Sequence, residues 1–123
     1  MHRHILDEAR IHPAIRAKIA GLHADIVREV EAAAAANDVV VVGMKHNPMP
    51  RKARKALDAK GIRYTYLEYG SYFNTWRRRN ALKMWTGWPT FPMIFVKGVL
   101  IGGATDLERL IDSGELARML TAG

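Results

Sequence analysis

A chain of 123 residues fits one domain and can bury roughly two thirds of the surface its unfolded form exposes, enough for a core. With 49% hydrophobic and 25% charged residues and no apolar run near the roughly twenty residues of a membrane span, the composition reads as soluble and globular. The formal charge of +7 favours anionic ligands, and the absence of cysteine excludes disulfides, thiolate metal ligands and a thiol nucleophile while leaving the redox compartment open.

Residues 1–20 read as a polar, helix-prone N-terminal extension, with Pro13 suited to a first helical turn. Acidic residues interrupt its basic start, and no apolar signal core or small-residue cleavage site comes after it, so a cytoplasmic location is the simplest expectation. Ile19, Leu22, Ile26, Val30 and Ala33 recur at spacings of three and four, which predicts one amphipathic helix over 19–36, ended by "AND". The β-branched run 39–42 then predicts a strand buried on both faces of a parallel sheet.

The stretch "GMKHNPMPRKARKALDAKG" predicts a helix from Pro48 to about Lys60. Asn47 suits its N-cap, Pro48 has no N–H to leave unsatisfied, and Gly61 suits the C-terminal turn. Ala53, Ala56 and Leu57 form its core side. "IRYTYLEY" alternates as a second strand, so the three elements make a βαβ unit with a right-handed crossover. "TWRRRNALKMW" predicts a helix with Trp76, Leu82 and Trp85 on its face, broken by "TGWPTFP". "MIFV" and "VLIGG" around Lys-Gly predict an antiparallel pair, and "ATDLERLIDSGELARML" a capped helix, a "DSG" interruption and a last helical turn or two. The expected organisation is an extension over 1–20 and one domain over 21–123, with no repeat or second core.

This order, βαβ followed by a helix, a hairpin and a helix, is the thioredoxin arrangement, and the sequence resembles glutaredoxins over roughly residues 24–120. "TGWPTFP" is similar to the family's threonine and cis-proline loop, and "IGGATDLERLIDSGEL" to its glycine pair, capping aspartate and terminal helix. "RNALKMWTGWPT" resembles the monothiol branch. The fold this implies is α/β, a four-stranded mixed sheet flanked by helices, with an additional N-terminal helix.

Counting back from Gly61, the resemblance puts Asn47 where the family carries its nucleophilic cysteine, with "NPMP" in place of "CPYC" or "CGFS". It implies a glutathione site made by Lys45, Arg79, Lys83, Thr90, Phe91, Pro92, Gly103, Thr105 and Asp106. Pro92 would follow a cis peptide and present the Phe91 backbone for pairing with an extended peptide. Thr105 or Asp106 would start a helix receiving the γ-glutamyl end, and Arg79 and Lys83 would meet the glycyl carboxylate. Each has a plainer account: Asp106 as a helix-terminal residue, Arg79 and Lys83 as a solvated basic face, Trp88 as packing.

No residue is read as catalytic, and no metal site is read from the "HRH" start or from His46, which lack partners at ligand spacing. The expected function is binding of glutathione, or of a glutathione-like peptide or protein C-terminal segment, without thiol-disulfide turnover. A 2Fe-2S cluster fits the residues poorly, because an amide is a poor ligand for it. Two alternatives stand beside this: a glutathione-dependent oxidoreductase or 2Fe-2S carrier whose sulfur comes from external thiols, and a protein-interaction module docking through its basic helices. The clusters "RKARK" and "WRRRNALK" come with no nucleic-acid motif, so they read as a surface for small anions.

Overall fold

The computed structural model describes residues 3–21, 23–44, 48–69 and 76–121, with backbone alone over 76–79. After a short 3-10 turn at Glu8–Arg10 come helices α1 (Pro13–Gly21) and α2 (Ala24–Ala36), strand β1 (Val39–Met44), helix α3 (Pro48–Ala59) and strand β2 (Thr65–Tyr69). Helix α4 (Trp76–Thr86), strands β3 (Met93–Val96) and β4 (Val99–Gly102), and helices α5 (Ala104–Asp112) and α6 (Glu115–Thr121) complete the order.

The sheet order is β2-β1-β3-β4. Strand β1 runs parallel to β2 and antiparallel to β3, and β3 pairs antiparallel with β4, so the sheet is mixed as expected. The four valines of β1 divide by parity, because successive strand side chains point to opposite faces. Val40 and Val42 join Ile26 and Val30 of α2, Leu82 of α4, and Met93 and Phe95 on one face. Val39 and Val41 join Ala53 and Leu57 of α3, Leu107 of α5, and Leu116 of α6 on the other. All four are at most 1% exposed, which is why the run is uniformly apolar rather than alternating.

The single helix expected over 19–36 is in fact two. Gly21 ends α1, and His23 adopts a left-handed conformation, φ 47°, before α2 begins at Ala24. Gly is the residue that most easily leaves a helix, so the i, i+3, i+4 pattern ran across a real boundary. Consequently Ile19 stays 44% exposed, and the buried face of α2 is Ile26, Val30 and Ala34 rather than Ala33; Leu22 lies outside the described residues. The second strand is also shorter than "IRYTYLEY", starting at Thr65.

Helix α3 ends as its glycine predicts. Gly61 takes φ 66°, Gly61 N–H donates to the Asp58 carbonyl, and Ile62 N–H reaches back to the Leu57 carbonyl, the pairing of a Schellman motif. Lys97 and Gly98, both at positive φ, form the tight turn between β3 and β4. Among the described residues, no helix is long and apolar enough to cross a membrane.

Candidate functional site

The register Ile94↔Gly102 between β3 and β4 brings the start of one strand beside the end of the other. Residues far apart in the chain therefore meet at one corner of the sheet. The Phe91–Pro92 peptide is cis, as the resemblance implied, and both residues are buried. Across from them, a Cβ built on Gly103 would lie 3.6 Å from the Pro92 carbonyl oxygen and 3.8 Å from the Trp88 indole Nε1. Gly103 thus faces both the proline loop and the tryptophan, in a small cradle that any side chain would begin to fill.

The start of α5 forms the other wall. Its N-cap is Gly103 and its first helical residue Ala104, so the helix begins earlier than the Thr105 or Asp106 expected. Asp106, at the third helical position, turns back so that its Oδ2 accepts the Gly103 N–H at 2.9 Å. This satisfies one of the amide donors that every helix start leaves open. An Asp106→Ala variant is expected to lose about 1 kcal/mol of stability, measured by urea denaturation, the usual scale for a lost cap. Gly102, at φ 112°, lies directly under that carboxylate.

On the far side, Lys83 sits in the last turn of α4 with its Nζ 5.9 Å from the Phe91 ring centroid, within reach of a cation–π contact. Arg79 lies one turn earlier on the α4 backbone, its side chain outside the described residues. Thr90 and Thr105 are both exposed at the rim. Lys45, His46 and Asn47 fall outside the described residues, so the expected N-cap and its lysine neighbour are not placed. What is placed is their surroundings: α3 begins at Pro48, immediately after them.

Two features here escape sequence reasoning. Among the described residues, Trp88 Nε1 is buried without a hydrogen-bond partner, although its own backbone N–H donates to Thr86 Oγ1 at 3.0 Å. And the Tyr66 hydroxyl of β2 and the Pro50 ring, at the start of α3, both lie close to Gly43; a Cβ there would come within 2.8–2.9 Å of each. That hydroxyl donates to Glu68 Oε1 at 3.2 Å, and the Arg54 guanidinium lies 4.3 Å over the ring. Burial, with the Glu68 carboxylate beside it, raises the Tyr66 phenol above its ordinary range. Tyr66 is therefore a neutral donor near neutral pH and no substitute for a thiolate. No motif marks Tyr66; the parallel pairing of β1 and β2 is what brings it to Gly43.

The family model described as Glutaredoxin matches residues 39–101, from the first strand through the fourth. A glutaredoxin-like protein of Dictyostelium discoideum is 48% identical over 94 residues, 76% of this chain and 76% of that protein. The chain belongs to the glutaredoxin family. Among solved structures, the buckwheat glutaredoxin–glutathione complex superposes with a TM-score of 0.72 at 26% identity, covering 82% of this chain and 92% of that one. A mutated buckwheat glutaredoxin gives 0.73 at 25% identity, covering 83% and 93%.

As a glutaredoxin this chain is unusual in its chemistry. It has no cysteine, so it offers neither a nucleophile for a disulfide nor a thiolate for a cluster. Nor is there, among the described residues, any group of three or more His, Asp or Glu placed to hold a metal ion. A thiolate-ligated 2Fe-2S cluster would need its thiolates from outside this chain.

Proposed function

We propose that this glutaredoxin binds glutathione, or a peptide end of the same chemistry, and turns over no disulfide by itself. The observation that carries the reading is the corner where the Phe91–Pro92 loop, Gly103 and the start of α5 converge, kept in a chain with no cysteine. A γ-glutamyl carboxylate suits the amides at the start of α5, an extended backbone suits the Phe91 main chain, and a second carboxylate suits Lys83 with Arg79. The glycine at 103 leaves room for close approach of a ligand backbone. Asn47, where the family's cysteine would stand, offers an amide that cannot attack a disulfide.

Calorimetry with reduced glutathione tests this directly. Binding at millimolar concentration or tighter, with no turnover in a glutathione-coupled disulfide assay, is the expected outcome, and no binding at millimolar glutathione overturns it. Because the contacts are charged, affinity is expected to fall with added salt. Lys83→Ala is expected to weaken binding by about 1–3 kcal/mol, the scale of a lost charged hydrogen bond. Unchanged affinity in that variant would return Lys83 to the solvated face.

A further inference from the structure

The N-terminal segment touches the domain at an informative place. Arg3 Nη1 donates to the Thr86 carbonyl at 3.0 Å, across 83 residues of chain. Among the described residues this is the one long-range hydrogen bond made by residues 3–21. Apolar burial does not explain it, since the neighbouring Ile5 and Leu6 are 64% and 56% exposed. The guanidinium itself makes the contact.

Its target is the C-terminus of α4, where carbonyls lack intrahelical partners and a cation is favoured by the helix dipole. The Lys83 carbonyl is taken by Gly87 N–H at 2.7 Å and the Leu82 carbonyl by Thr86 Oγ1 at 2.8 Å. Arg3 takes the Thr86 carbonyl. It also fills the space beside Gly87, for a Cβ there would collide with Arg3 Nη1, and φ of 75° itself calls for glycine. A side chain at 87 and Arg3 at this place exclude each other.

Gly87 leads directly into the cleft wall. Trp88 N–H is held by Thr86 Oγ1, its indole lies against Gly103, and three residues on comes the Phe91–Pro92 peptide. We infer that Arg3 is a positioning residue, a latch that holds the 86–92 loop in the conformation the cleft uses. The contact stands on the geometry above; only its consequence for binding rests on the glutathione reading.

The test uses the full chain with Arg3→Ala and Arg3→Lys. Hydrogen exchange at the Gly87 and Trp88 amides reports the latch, and calorimetry with reduced glutathione reports the cleft. In Arg3→Ala, exchange at both amides is expected to quicken about three- to tenfold while Val41 in the core is unchanged, and the glutathione Kd to rise by a similar factor, the scale of one charged contact. Arg3→Lys should recover part of both, since an ammonium can still donate to the Thr86 carbonyl but lacks the flat group beside Gly87. Unchanged exchange in Arg3→Ala overturns the latch, and faster exchange with unaltered affinity overturns its positioning role. Should the parent protein bind no glutathione, the reading of the cleft fails, and exchange alone then decides the latch.

Discussion

An Asn47→Cys variant is expected to become alkylable near neutral pH and to form a mixed disulfide with oxidised glutathione, whereas the parent protein does neither. Residue 47 directly precedes α3, and the open amides and partial positive charge of a helix N-terminus favour a thiolate over a thiol. The new thiol should titrate below its free value of about 8.5. The depression should be modest, because Pro48 and Pro50 remove two of the first amide donors of the helix. Where the asparagine serves as the expected cap, its loss costs typically about 1 kcal/mol, which a domain with several kcal/mol of stability survives. Alkylation rate against pH, with mass spectrometry after exposure to oxidised glutathione, checks the expectation. A folded variant whose thiol stays inert, or titrates at or above the free value, would show that residue 47 does not serve the helix N-terminus.

Gly102→Ala is expected to be the most damaging small substitution near the cleft, at about 2–4 kcal/mol. A non-glycine residue forced into an unfavourable positive-φ conformation costs about 1–3 kcal/mol, and φ here is 112°. The added Cβ would also lie 2.5 Å from Asp106 Oδ2, displacing the carboxylate from the Gly103 N–H and costing roughly another 1 kcal/mol. Thermal unfolding should report a Tm lower by on the order of 10 °C. Gly103→Ala makes the contrast: its Cβ would meet nothing nearer than 3.6 Å, and its φ of −105° is ordinary, so its loss should stay within about 1 kcal/mol. If the two variants prove equally stable, the strain at Gly102 is relieved by movement of β4, and the reading of that corner is wrong.

The order of elements is legible in the sequence, because each is signalled locally. The β-branched run at 39–42, Gly61 after a helical stretch, and Lys-Gly between two apolar runs each act through backbone preferences that need no distant partner. The absence of cysteine likewise shows, without any structure, that this chain supplies no thiol of its own. Where a local signal is ambiguous the pattern misled: periodicity carried an expected helix through Gly21 and His23, since apolar spacing records a face but not a break. The resemblance groups Pro92, Gly103 and Asp106 in one site, and strand pairing is what brings them together. Pro92 and Gly103 are neighbours because β3 and β4 pair in one register, and Tyr66 reaches Gly43 because β2 lies parallel to β1. Arg3 meets Gly87 across the length of the chain through a single guanidinium, and no periodicity announces such a contact. Strand register and long-range polar contacts are properties of the packed chain, in which the energy of each pair depends on where every other element has come to rest.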